Sequence, residues 1–242
     1  MELTVLGCSG SYGAPAGGAC SGYIVRTADA VIWMDCGNGT FPILQQHVNP
    51  ADLTAVVVTH GHPDHCVDIY GLHVMYKYGL EMTRLPVYAP EGLEKTLEGL
   101  VGEWTDTFDW RMVAEGDRVT IEDCNLRFSR TDHPLPTIGV EVASGGKRMC
   151  YTADTGPGWS VEVFDPGADL VLSEATYQHD DLRAPIHYSA RQAGEYARAA
   201  KARRLMLTHL WPTVDPVASV EEGSEAFGRA VSLAAPHLVT HI

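Results

Sequence analysis

The chain has 242 residues, 45% of them hydrophobic, and a formal net charge of −14. That is enough chain for a sizeable core, and no apolar run approaches the roughly 18 residues that a membrane-spanning helix needs. The acidic balance argues against long DNA or RNA as a partner, because phosphate backbones are normally held by clustered Lys and Arg.

In chain order the pattern alternates strands and helices. Met1-Glu2-Leu3-Thr4-Val5-Leu6 lacks the basic and long apolar regions of a signal peptide and reads as a first strand. A Gly/Ser/Ala/Pro-rich loop fills 7–22. Residues 23–26 and 30–34 look like a hairpin, ending at Asp35-Cys36-Gly37-Asn38-Gly39. A short helix is expected over 41–48 and a buried β-branched strand over 54–58. Residues 66–80 have helical spacing, 85–88 are strand-like and 91–101 helical. In the second half, strands are expected at 118–122, 125–131, 138–143 and 147–153. Ser144-Gly145-Gly146 turns the last pair into a hairpin. A short buried strand covers 169–174. A helix covers 189–200 with Ser189 as its N-cap. Then come a strand at 204–208, a helix at 219–231 and a last strand at 238–241. No linker or low-complexity segment divides 1–242, so a single domain is expected. Two similar halves, with helices outside the strands, suggest an α+β fold, a four-layered αββα sandwich.

The strand at 54–58 runs into Thr59-His60-Gly61-His62-Pro63-Asp64-His65. Gly61 and Pro63 cannot continue a regular element cheaply. Four metal-competent side chains, His60, His62, Asp64 and His65, therefore sit within six positions at a strand end. Imidazole suits Zn, Fe and related ions, and carboxylate adds a harder oxygen ligand. A lone His is usually an ordinary surface or core residue; four ligand types in this order are hard to obtain by chance. His133, Asp154 and His209 each stand where an apolar strand stops and a breaker-rich loop begins, the context in which side chains reach a shared cleft. The six cysteines, Cys8, Cys20, Cys36, Cys66, Cys124 and Cys150, form no C-x-x-C pair. Neither a disulfide framework nor a cysteine zinc site is indicated, and a reducing cytoplasm is the expected setting.

The H-x-H-x-D-H run, followed by separate His, Asp and His at strand ends, resembles the metallo-β-lactamase-fold hydrolase superfamily. Asp35-Cys36-Gly37 matches that family's early Asp-x-Gly turn. The resemblance implies the αββα fold and two divalent ions, zinc first and Mn or Fe as alternatives. It implies that His60, His62 and His133 hold one ion, that Asp64, His65 and His209 hold the other, and that Asp154 bridges them. It also implies attack by a hydroxide shared between the ions, whose pKa two metals can bring toward neutrality. Asp64 is counted with the catalytic groups as well as with the ligands.

Three features narrow the reaction. Asp154 at the bridging position argues against the zinc β-lactamases proper. His187-Tyr188-Ser189 opens a helix as in the phosphodiesterase branch, best known in the tRNA 3′-processing endonucleases (tRNase Z). Ser173-Glu174-Ala175 follows an apolar strand as that branch's acidic partner does. By this resemblance His187 protonates the leaving oxygen and Glu174 holds and charges His187. For both, a structural role is the competing reading: a surface His at a helix start and a buried carboxylate. Only about twenty residues separate His133 from Asp154, so the long tRNA-binding arm is lacking. The compact layout is similar to a group of actinobacterial-type cyclic-nucleotide phosphodiesterases of this fold. The expected substrate is a small phosphodiester, with a 3′,5′-cyclic nucleotide such as cyclic AMP as the leading case, and homodimerisation is left open. The alternatives are a tRNA 3′-end endonuclease-like nuclease, a thioester or lactone hydrolase, and a non-catalytic binding protein. Tyr70, His73, Tyr76 and Tyr78 are candidates for base stacking, with packing favoured. Lys147, Arg148 and Arg183 are candidates for steering a phosphate, with solvated surface charge favoured. Asp35 is read either as a support for a metal-binding His or as a turn residue.

Overall fold

The computed structural model describes residues 1–14, 18–104, 106–179 and 185–242. The described strands form two seven-stranded sheets. The first is built from β1 (Glu2–Gly7), β2 (Gly22–Arg26), β3 (Val31–Met34), β4 (Ala55–Val57), β5 (Leu85–Ala89), β6 (Phe108–Met112) and β14 (Val239–His241). Their order is β14-β1-β2-β3-β4-β5-β6. The second sheet holds β7 (Arg118–Ile121), β8 (Cys124–Arg130), β9 (Ile138–Ser144), β10 (Lys147–Tyr151), β11 (Leu170–Glu174), β12 (Leu205–Thr208) and β13 (Ser232–Leu233). Its order is the reverse of the chain order, from β13 to β7.

Period-two alternation assigns the side chains to layers. Ile32 and Met34 of β3 face the core between the sheets, with Tyr23, Val57, Phe128, Val140, Tyr151 and Leu172. Trp33, between them, faces outward with Val56, Leu44, Ile69 and Leu72. That outer layer is covered by α1 (Thr40–His47), α3 (Ile69–Val74) and α4 (Leu93–Glu98), with α2 (Pro63–Cys66) as a single turn after the His loop. Over the second sheet, α5 (Ala190–Ala199) and α6 (Pro216–Phe227) pack Ala193, Ala197 and Phe227 onto Val171 and Leu207. Three apolar interlayers make four layers, αββα.

Ser189 caps α5 with a full capping box: its side chain accepts from Gln192 N and the Gln192 side chain accepts from Ser189 N. Helix α6 starts at Pro216, earlier than the periodicity suggests, because Asp215 caps it and accepts from Val217 N at 2.9 Å. It stops at Phe227, where Gly228 takes φ 81°. The region 66–80 is α2, α3 and one turn of π-helix at Met75–Leu80. Strands β6 and β13 escape the sequence reading. Half-polar Phe108–Met112 lacks a clean alternation, and β13 is two residues long. All six cysteines are buried, and no described helix is long and apolar enough to cross a membrane.

Strand direction decides where the loops meet. β3, β4 and β5 are mutually parallel. β10, β11 and β12 are also parallel. β8 is antiparallel to β9, which is antiparallel to β10, so β8 ends at the same edge as β10. The carboxyl ends of β3, β4, β8, β10, β11 and β12 carry Asp35, the His loop, His133, Asp154, Glu174 and His209.

Candidate metal centre

The seven sequence-predicted ligands converge at this edge. His60, His62, His133 and Asp154 offer donor atoms within 4.8 Å of one another, and so do Asp64, His65 and His209. His62 Nδ1 stands 3.1 Å from His60 Nε2 and 3.2 Å from His133 Nε2. In the second group His209 Nε2 lies 3.2 Å from both His65 Nε2 and Asp64 Oδ2. Asp154 lies between the groups: Oδ2 is 3.6 Å from His60 Nε2, and Oδ1 is 3.2 Å from His65 Nε2 and 3.4 Å from His209 Nε2.

The backbone is bent to make this possible. Asp35, Ala153 and His209, none of them glycine, adopt left-handed φ values of 58°, 51° and 58°. Such residues cost of order 1–3 kcal/mol each and persist where the surroundings over-determine them. Each turns the chain just beyond a strand: at Ala153 and His209 this brings Asp154 and His209 to the cluster, and at Asp35 it places a carboxylate behind His65. Gly37 is needed for a different reason: a Cβ there would lie 2.0 Å from the carbonyl oxygen of Asp64.

The outer nitrogens and the carboxylates are held from behind. His65 Nδ1 donates to Asp35 Oδ2 at 2.8 Å. Asp35, fully buried, also accepts from Thr59 N at 2.7 Å, Thr59 Oγ1 at 2.9 Å and the Tyr151 hydroxyl at 2.9 Å. It is therefore the support for His65 that one of its two readings expects. His60 Nδ1 lies 3.2 Å from Thr59 Oγ1, and His133 Nδ1 lies 3.3 Å from Ile186 O. The amide of Ser11, in the glycine-rich loop, donates to Asp64 Oδ2 at 2.9 Å. Two of these contributors, Tyr151 and Ser11, lie outside the sequence reading. Tyr151 is legible from parity alone, since it alternates with Cys150 and must face the inter-sheet core. Ser11 carries no sequence signal, because its contribution is a backbone N–H.

The donor set fits divalent metal. Burial, and then neighbouring imidazoles, push the pKa of His60 down; burial does the same for His62 and His133, so all three favour the neutral form that a metal needs. Burial alone would raise Asp154, but His209, His65 and His60 hold it well below the usual carboxylate range. Burial works against charge on His65 too, yet Asp154, Asp64 and Asp35 together draw positive charge to it. A cluster with that demand for positive charge suits a cation. Asp154 Oδ1 is fully enclosed without a hydrogen-bond partner, the orphan that a bridging position would satisfy.

Beside the cluster, His187 Nδ1 meets Glu174 Oε1 at 3.0 Å. Its ring stacks on His209, with centroids 5.5 Å apart, and lies 5.4 Å from His133. Burial lowers the His187 pKa, but the Glu174 carboxylate outweighs it and Asp154 adds to it, raising the pKa to about 9. Glu174 is fully buried and accepts from Thr155 N at 2.7 Å.

The remaining candidates lie elsewhere. Tyr76 is buried and donates to Pro50 O; Tyr70 donates to Leu97 O and stacks on Trp104; His73 packs edge-on to Trp104. Tyr78 is 71% exposed. Tyr70, His73 and Tyr76 pack in the outer helical layer, as the packing reading expects, and Tyr78 projects from its surface. Lys147 pairs with Asp169 and Arg148 with Glu141. Arg183 lies outside the described residues.

Comparison with known proteins agrees with this architecture. A family model described as the beta-lactamase superfamily domain matches residues 31–210. The probable metallo-hydrolase YhfI of Bacillus subtilis is 31% identical over 216 residues, covering 87% of each chain. Its crystal structure, that of a metallo-β-lactamase fold protein, superposes with a TM-score of 0.89 at 26% identity over 99% of both chains. The uncharacterized protein ML1173 of Mycobacterium leprae is 30% identical over 243 residues, covering 96% of this chain and 85% of that one. Human tRNase Z, short form, shares the fold with a TM-score of 0.79 at 22% identity, over 100% of this chain and 99% of that one. The matched span covers most of the chain and includes all seven clustered His and Asp residues: the protein belongs to the beta-lactamase superfamily and has the metallo-β-lactamase fold.

Proposed function

We propose that the protein is a metal-dependent phosphodiesterase acting on a small phosphodiester, with a 3′,5′-cyclic nucleotide as the leading substrate. His60, His62 and His133 would hold one divalent ion and Asp64, His65 and His209 a second, with Asp154 between them and Zn²⁺ as the expected metal. Ions in those positions would supply Lewis acidity that makes water a nucleophile near neutral pH and neutralises charge on a phosphoryl group. The observation that carries the reading is the His187–Glu174 pair, 3.0 Å apart, beside the ligand cluster.

The residues divide the remaining work. Glu174 accepts a hydrogen bond from Nδ1–H of His187, which leaves the Nε2–H of the protonated ring for the site. A protonated imidazole there can pass its Nε2 proton to the leaving alkoxide oxygen, a step of general acid catalysis. With the carboxylates of Asp64 and Asp154 ionised, the cluster would be cationic only with divalent ions bound, so an anionic substrate would be attracted to the loaded protein. The size of the substrate is argued from the segment between His133 and Asp154. It holds the β9–β10 hairpin, closed by Gly145-Gly146, with no protruding arm to grip tRNA, and the net charge of −14 points the same way.

The test is metal analysis together with hydrolysis of bis-p-nitrophenyl phosphate, cyclic AMP, a tRNA precursor and S-lactoylglutathione by the same preparation. About two ions per chain and turnover of the two small phosphodiesters are expected. Turnover of S-lactoylglutathione alone would replace this reading with thioester hydrolysis, and turnover of the tRNA precursor alone with RNA processing.

A further inference from the structure

Thr176 lies just past the end of β11 and is fully buried. Its hydroxyl has two polar neighbours, Glu174 Oε2 at 2.6 Å and His209 Nδ1 at 2.8 Å. Counting donors settles the direction of both bonds. Glu174 Oε1 is already met by Thr155 N–H and His187 Nδ1, and Oε2 is met by the amide of Thr176 at 3.4 Å. A carboxylate so surrounded accepts at every contact. A hydroxyl has one proton. With that proton given to Glu174, the Thr176 oxygen accepts from His209. His209 Nδ1 then carries a hydrogen, which leaves Nε2, 3.2 Å from Asp64 Oδ2, as the nitrogen that can give its lone pair to an ion.

We propose that Thr176 is a positioning residue: it sets the tautomer and ring direction of His209 and ties that ligand to the carboxylate that orients His187. The inference rests on His209 being a ligand of the second ion. His209 sits on a left-handed backbone, φ 58°, so its ring needs an anchor that the strand itself does not provide. The link also makes Glu174 a shared element. Through Oε1 it holds the proton donor, and through Oε2 and Thr176 it holds a ligand 5.5 Å away in ring centroids. The first ligand group is independent of Thr176. His60 and His133 take their outer contacts from Thr59 and from Ile186 O. Breaking the Thr176 link therefore weakens one ion and spares the other. A threonine that only filled the core around Glu174 would change stability without that selectivity.

The experiment compares wild type, Thr176→Val and Thr176→Ser as full-length chains. Zn²⁺ is titrated into metal-free protein against a chromophoric chelator, and the ring nitrogens of His209 are assigned by long-range ¹H–¹⁵N NMR before metal is added. Expected is wild-type uptake of two ions, with Thr176→Val keeping one affinity and losing about 10–100-fold in the other, the usual effect of removing a partner behind a ligand. Thr176→Ser, which keeps the hydroxyl, restores both. The NMR signal should show Nδ1–H at His209 in wild type and in Thr176→Ser. Unchanged affinities in a folded Thr176→Val, or a His209 whose Nδ1 carries no hydrogen in wild type, would overturn the proposal. The wild-type ring signal decides the hydrogen-bond half even where Thr176→Val does not fold. Wild-type protein with Nδ1–H that takes up no Zn²⁺ would instead sink the two-ion reading on which the proposal stands.

Discussion

The hydroxyl of Tyr151, on β10, reaches across the inter-sheet core and donates to Asp35 Oδ2 at the end of β3, 2.9 Å away. The same oxygen accepts from His65 Nδ1 at 2.8 Å. One carboxylate thus registers the two sheets against each other and aims a ligand. Tyr151→Phe should lower stability by about 1.5–3 kcal/mol, the worth of a hydrogen bond to a charged group, and leave metal content intact. Asp35→Ala should lower both, since it strands the Thr59 and His65 donors as well. Urea unfolding and metal analysis on the two variants check this.

The proposed ligand cluster and the proposed proton donor should separate by mutation. Asp154→Ala removes the group lying between the two ligand sets, so metal content and activity should fall together. His187→Ala should slow turnover by about 10²–10⁴-fold, the range of general acid catalysis, while bound metal stays at the wild-type level. Loss of metal from His187→Ala would make that residue a ligand instead.

Glu174 raises the pKa of His187 to about 9 against the pull of burial. The protonated form is present below that pKa and is lost as pH rises through it, so the rate should fall on the alkaline side. In Glu174→Gln the raising charge is gone and the alkaline limb should move to lower pH. In metal-free protein the same pair contributes stability that is fully present below the unfolded histidine pKa of about 6.5 and fades as pH rises toward about 9. A pH series of melting temperatures in wild type and Glu174→Gln shows the difference.

Chelation should destabilise the protein. An ion held at 100 times its dissociation constant contributes about 2.7 kcal/mol of stability. Adding EDTA should therefore lower the melting temperature, and re-adding Zn²⁺ should restore it. An unchanged melting temperature on chelation, with metal shown to have left, would mean that the cluster is rigid without it.

Most of this architecture can be read from the chain. Each proposed ligand sits where an apolar strand meets a breaker, so residue order alone places His60, His62, Asp64, His65, His133, Asp154 and His209 at one edge. What cannot be read are contacts that depend on strands far apart in sequence lying side by side. The Tyr151–Asp35 bond spans 116 positions, and the Ser11 amide meets Asp64 from a loop 53 residues away. Nor does local pattern reveal that β14 returns to pair with β1 in the first sheet. A strand of three residues gains its place from its neighbour rather than from its own alternation.

The buried cysteines have a chemical consequence. Burial pushes the Cys8, Cys66 and Cys150 thiols up to about 12, far from the thiolate that peroxide and alkylating agents attack. The clustered donors are nitrogen and oxygen only. Even Cys66, next to His65, spends its hydrogen on the carbonyl of His62 at 3.1 Å. Oxidants that disable thiolate-bound metal centres therefore find no sulfur to modify at this one.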